Sequence, residues 1–139
     1  MKNIAIVLLS LTLWSCQQKP ADMTQHLSGY WEIDKVVFAD GQQKEFAINT
    51  WIDYIEIVDS QGYRTKVQPT LEGTYISNDV VEKIEIKIEN DSLHLYCSTE
   101  FDRWKETVIS ADDEQLVIVT ADNKKFYYKK YKPLDLDFP

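Results

Sequence analysis

The chain has little of what the commoner catalytic centres are made from. Its 139 residues include two histidines, two cysteines, four glycines and four prolines. His26 and His94 form no His-x-x-x-His pair, and no Cys-x-x-Cys occurs, so the ligand spacings of zinc sites are missing. There is no Gly-x-Ser-x-Gly elbow for a serine nucleophile and no Gly-rich phosphate loop. Basic residues are few as well. Fifteen Lys and Arg stand against 23 Asp and Glu, a net charge of −8. That argues against nucleic acid, because phosphate binding draws on Lys and Arg, and it disfavours adsorption to anionic lipid. The acidity reads as solubility. The sequence predicts no catalytic residue, no metal and no cofactor, so the expectation is a protein that is not an enzyme.

Long apolar runs are also scarce. Ile4 to Trp14 follows Lys2 and is shorter than the roughly 20 residues a spanning helix needs. A positive start, a short apolar core and a small residue before the cut describe a secretory signal over residues 1–15. Leu13-Trp14-Ser15-Cys16 resembles a bacterial lipobox. The resemblance implies that Cys16 becomes the acylated first residue of the mature chain and ties it to a membrane, where stable anchoring takes more than one acyl chain. The implied location is the cell envelope. Gln17-Gln18-Lys19-Pro20 lacks the acidic run that directs some lipoproteins to the cell surface, which favours the outer membrane facing the periplasm. Residues 16–26 then read as the lipidated cysteine and a flexible tether. Cys97 is left without a partner. It shares its alternation with Leu93 and Leu95 and is expected to be a buried, small apolar residue.

From Leu27 onward the hydrophobic period is two. Ile84, Ile86 and Ile88 alternate with Lys83, Glu85, Lys87 and Glu89, a strand with one wet face. Glu89-Asn90-Asp91 supplies turn residues, and Leu93, Leu95 and Cys97 alternate back, forming a hairpin. Further strands are predicted around Ile55 and Ile57, over Tyr63 to Val67 (ended by Pro69), Leu71 to Ser77, Trp104 to Ser110, Leu116 to Ala121 and Lys125 to Tyr131. Lys44 to Asn49 is expected to make at most one helical turn. About nine short strands at near-regular spacing predict an all-β domain over residues 27–132, either a barrel or a half-open sandwich. Residues 133–139 form a tail, either frayed or strapped to the barrel through Leu134, Leu136 and Phe138.

Leu27-Ser28-Gly29-Tyr30-Trp31-Glu32-Ile33 opens the domain. Gly29-x-Trp31 at the head of the first strand resembles the lipocalin signature. The stretches around Gly62-Tyr63, Leu71 to Tyr75 and Lys125 to Tyr131 are similar to bacterial lipocalin-like lipoproteins. The resemblance implies an antiparallel up-and-down β-barrel of about eight to ten strands. It also implies that Trp31 packs across the closed end with a basic residue of the last strand on its ring, Lys129 or Lys130.

Aromatic residues are the better functional lead: Trp31, Trp51, Trp104, Tyr63, Tyr75, Phe101 and Phe126. In a small barrel, inward aromatics either fill the lumen or line a ligand cavity. Trp51 and Trp104 each sit beside a loop-like segment where a mouth would lie. Arg103 is a candidate anion contact, or else a surface ion pair with Asp102 or Glu100. Tyr75 completes the expected ligand-binding set, for a small apolar or amphiphilic ligand. The rival expectation is a filled barrel that serves as an accessory subunit or inhibitor through its outer surface, with an unknown protein partner. Lys124, Lys125, Lys129, Lys130 and Lys132 form the one basic cluster and read as edge protection or as a membrane-facing patch. Asp91-Ser92-Leu93 resembles a short bacterial O-glycosylation site at Ser92.

Overall fold

In the computed structural model, which describes residues 17–134, nine strands form one antiparallel sheet. The strands are β1 (Gly29–Val37), β2 (Gln43–Glu45), β3 (Ile52–Val58), β4 (Gln61–Pro69), β5 (Tyr75–Glu89), β6 (Ser92–Ser98), β7 (Arg103–Ala111), β8 (Gln115–Thr120) and β9 (Lys125–Lys130). Each of β3 to β9 pairs with its predecessor in the barrel, and β9 pairs back onto β1 from Trp31↔Lys130 to Val37↔Lys125. The barrel is therefore closed rather than a half-open sandwich, as the resemblance implies. β2 is a short extra strand on the upper half of β1. It replaces the expected helical turn at Lys44 to Asn49.

Alternation explains most of the interior. Inward positions on β5, β6, β7 and β8 include Ile84, Ile86, Leu93, Leu95, Cys97, Val108, Leu116 and Ile118, all buried in one cluster. Tight turns are made by residues in left-handed conformation, among them Asp59, Asn90 and Asp91, where short polar side chains tolerate positive φ. Of the strand expected at Leu71 to Ser77, Leu71 to Thr74 form a turn, whereas Tyr75 to Ser77 and the strand expected over Lys83 to Glu89 are parts of one 15-residue strand, β5. Its ladder with β4 shifts register between Thr65 and Val67, and Asp79 in the bulge has φ 62°. The bulge bends the start of β5 over the outside of the barrel. Thr65 Oγ1 donates to Val80 O at 2.7 Å, and Ile52 and Val67 are buried on that outer face.

The segment expected to be a loose tether is part of the fold. Pro20–Thr24 forms a one-turn helix, α1, started by Pro20 at a position where a missing N–H costs nothing. Met23 and Leu27 are buried in the core cluster. Gln18 closes the arrangement: its amide donates to Ala111 O and accepts from Ala111 N at 3.1 Å. A helix of one turn leaves no periodic signal in the sequence. The signal segment 1–15, Cys16, Leu136 and Phe138 lie outside the described residues. Leu134 is 78% exposed, so it makes no strap.

Candidate functional site

The two ends of the barrel differ. At the closed end Trp31 is completely buried, and its indole Nε1–H donates to Leu27 O at 2.9 Å. Lys130, directly opposite Trp31 in the ladder, places Nζ 4.0 Å from the ring centroid, so Lys130 rather than Lys129 is the stacking residue. Burial lowers the Lys130 ammonium from its ordinary value, and Asp113 and Glu114 act the other way. Gly29 explains the Gly-x-Trp spacing. Its φ is +135°, and a Cβ there would stand 2.6 Å from Lys130 Nζ. The glycine leaves the space through which the lysine reaches the tryptophan.

The opposite end is the mouth. A cavity of about 240 Å³ is lined there by Asp53, Arg64, Lys66, Glu82, Trp104, Glu106, Ile118, Thr120, Phe126 and Tyr128. Its centre is a charged network. Arg64 Nη1 and Nη2 donate to Glu106 Oε2 and Oε1 at 3.0 and 2.9 Å, the bidentate geometry that suits a guanidinium. Arg64 Nε donates to Glu82 Oε2 at 2.6 Å, and Trp104 Nε1–H donates to Glu106 Oε1 at 2.9 Å. Lys66 Nζ meets Asp53 Oδ1 at 2.8 Å. Asp53, Arg64 and Glu106 are buried. Among the described residues, no buried side-chain nitrogen or oxygen lacks a hydrogen-bond partner.

Burial works against the charges of Glu106 and Arg64, and their partners outweigh it. Burial pushes the Glu106 carboxyl up, but the Arg64 hydrogen bonds and charge, with Trp104, hold it below the usual carboxylate range. The Arg64 guanidinium, disfavoured by burial, is raised well above its ordinary value by Glu106 and Glu82. Burial keeps Tyr128 a neutral phenol, with Asp53 acting in the same direction. On β6, opposite Trp104, burial and then the Glu106 charge push the Cys97 thiol up to about 12. Cys97 is inert packing, as its alternation implies.

Of the ligand-binding set read from the sequence, the structure brings only Trp104 to the cavity. Trp51 precedes β3, is 40% exposed and does not line it. Arg103 adjoins Trp104 on the strand and so points to the opposite, outer face. Tyr75 is on the outside too: the bent start of β5 lays its ring on Tyr30, centroids 4.2 Å apart, within a group that includes Tyr54, Tyr63 and Tyr131. Ser92 opens β6 at the closed end, half-buried beside Gln17, Gln18 and Met23. Phe126 lines the cavity; Phe101 is 93% exposed on the β6–β7 loop.

Sequence reasoning missed Asp53, Arg64, Lys66, Glu82 and Glu106. Two of them had a readable signal. Glu82 continues the inward row of Ile84 and Ile86, and Glu106 lies between the inward Trp104 and Val108. An acidic residue within an apolar row marks a buried charge with a partner elsewhere.

Residues 27–118 match the sequence profile of a family described as a lipocalin-like domain. No curated protein matches the chain. Two solved structures are similar. One is a lipocalin-like protein from Bacteroides uniformis ATCC 8492, 11% identical with a TM-score of 0.49. The other is an uncharacterized protein from Bacteroides eggerthii DSM 20697, 10% identical with a TM-score of 0.47. Each similarity covers 76% of this chain and 99% of the other.

Proposed function

The chain belongs to the lipocalin-like domain family, and from that premise we propose that it binds a small amphiphilic molecule at the mouth of the barrel. One observation carries this reading: the lower lumen is filled by side chains, whereas the upper lumen keeps a cavity of about 240 Å³ with the aromatic walls Trp104, Phe126 and Tyr128 around a fixed charged network. Apolar walls with a few oriented polar groups are the usual make-up of a small-molecule site. The volume is below the roughly 300–1,000 Å³ of drug-sized pockets, so the ligand is small. The proposed role is binding without catalysis. Glu106 is held ionised by Arg64, which suits charge recognition better than proton transfer.

The same reading places the protein in the cell envelope, held by acyl chains on Cys16. Gln18 is fixed to Ala111 at the closed end, and Cys16 is two residues away, at most about 7 Å of extended chain. An anchor there puts the closed end toward the bilayer and the mouth away from it.

The test is native mass spectrometry of the full-length protein purified from its host membranes in mild detergent. The expected result is an acyl mass on Cys16 and a second, reproducible mass that organic solvent removes. Trp104→Phe is expected to weaken retention of that second mass with the barrel intact by circular dichroism. A clean mass without ligand, in wild type and variant alike, moves the reading to an interaction module. That alternative has its own support in exposed Ile76, Val80, Val81 and Phe101 on the outer wall and the β6–β7 loop.

A further inference from the structure

We propose that the mouth cavity selects an organic cation, a small amine carrying a flat apolar body. The inference rests on the mouth being the ligand site and concerns the charge of what enters. Three carboxylates, Asp53, Glu82 and Glu106, line the cavity against two cations, Arg64 and Lys66. The formal balance inside the barrel is one negative charge.

The buried positive group, Arg64, is not available to an anion. All three guanidinium nitrogens of Arg64 already donate to Glu106 or Glu82. An anion that drew Arg64 away would leave Glu106 buried without its counter-ion, a costly state. Lys66 is the group able to move. Its side chain is half exposed, whereas Asp53, which it contacts, is buried. An incoming ammonium can take the place of the Lys66 ammonium on Asp53 while Lys66 swings into water. The exchange keeps a cation on the buried carboxylate throughout. Glu82 uses one oxygen for Arg64 and supplies a second carboxylate to the cavity wall.

The walls suit the remainder of such a ligand. Phe126 and Tyr128 lie nearly parallel, 18° apart with centroids at 6.5 Å, and both line the cavity. Trp104 flanks the network and Ile118 provides an apolar contact. Aromatic faces attract cations and pack against flat apolar groups, and both effects strengthen when water is excluded. An acidic head group gains no cation–π attraction and meets the excess carboxylate.

The experiment compares three probes of nearly equal size on the full-length protein by isothermal titration calorimetry and tryptophan fluorescence: phenethylammonium, 2-phenylethanol and 3-phenylpropionate. Phenethylammonium is expected to bind about tenfold tighter than the alcohol, with the carboxylate weakest. Lys66→Gln removes the competing ammonium and keeps an amide N–H for the buried Asp53, with folding checked by thermal melting. It is expected to tighten phenethylammonium about threefold and leave 2-phenylethanol unchanged. Asp53→Asn is expected to erase the preference for the cation, with folding checked by thermal melting. Equal or tighter binding of 3-phenylpropionate overturns the charge inference while the mouth remains the binding site. A Lys66→Gln effect shared by the alcohol also overturns it, since steric release would then be the cause. No response to any probe by a folded protein overturns the mouth reading itself.

Discussion

Replacing Arg64 by Met is the perturbation that tests the charged mouth most directly. The side chain is about nine-tenths buried and holds Glu106 in two hydrogen bonds and Glu82 in a third, and Met replaces its aliphatic stem without the guanidinium. Glu82 is partly exposed and recovers water when Arg64 is lost. Glu106, with 8% of its side chain exposed, does not. Breaking a buried pair from one side leaves an uncompensated charge and costs about 3–5 kcal/mol. For a domain of this size that is a fall in Tm of about 10–20 °C. Urea unfolding at pH 7 reads the free energy directly.

The pH dependence identifies the cause. In the wild type, the Glu106 carboxyl lies below its ordinary 4.5. Its contribution to stability is full above about pH 4.5 and is lost as pH falls through the lower folded value. Without Arg64, burial dominates and the folded value moves above 4.5. The variant is then penalised at pH 7 and relieved as pH falls toward 5, so the gap between the two proteins narrows in acid. The double variant Arg64→Met, Glu106→Leu removes both charges and is expected to recover at least half of the loss, because a buried ion pair and an apolar replacement are often close in energy. A single variant within about 1 kcal/mol of wild type at pH 7, or a deficit that does not change between pH 7 and 5, refutes the reasoning.

Two further outcomes follow from the closed end and the core. Gly29→Ala combines a strained φ with displacement of Lys130 from Trp31, and is expected to cost about 2–4 kcal/mol in urea unfolding. Lys130→Met loses the Nζ–H donation to Ser28 O at 3.3 Å together with the cation–π contact, the latter about 0.5–2 kcal/mol, so a Gly29→Ala effect no larger than that of Lys130→Met would show the glycine to be replaceable. Cys97, buried and pushed up to about 12, is expected to react with iodoacetamide at pH 8 about a thousandfold more slowly in the folded protein than in urea, judged by its smaller thiolate fraction. Labelling of the folded protein at the unfolded rate would contradict its burial.

The barrel was legible because its evidence is local. A period of two, interrupted by Asp59-Ser60, Glu89-Asn90-Asp91 and Asp122-Asn123, fixes strands and turns within windows of about ten residues. Gly29 and Trp31 were legible through their resemblance to the lipocalin signature, which also implied a stacking lysine on the last strand, and the ladder register decides between the two lysines: Lys130 lies directly opposite Trp31. The illegible parts depend on tertiary packing. α1 is one turn long, and nothing in its sequence says that Met23 enters the barrel. The outward face of β4 is buried because β5 bends back over it, so Tyr63, Thr65 and Val67 look like an inward row when they are the outer one.

That inversion on β4 is also what hid the site. A strand reading Tyr63, Thr65 and Val67 on one face and Gly62, Arg64 and Lys66 on the other assigns the second set to solvent. The barrel does the reverse, because the outer face has a second layer of protein and the inner face has charged partners waiting on β3, β5 and β7. Arg64 and Glu106 are 42 residues apart in sequence and meet only across the closed lumen. Pairing of this kind has no sequence periodicity. What the sequence does contain is the acidic half of the pattern, with Glu82 in line with Ile84 and Ile86, and Glu106 between Trp104 and Val108. A carboxylate in an inward apolar row requires a buried cation, and in a chain with only two arginines, Arg64 and Arg103, one of them on the outward parity beside Trp104, the remaining choice is narrow. The excess of carboxylates over cations in the same rows is the property from which the mouth derives its preference for a positively charged guest.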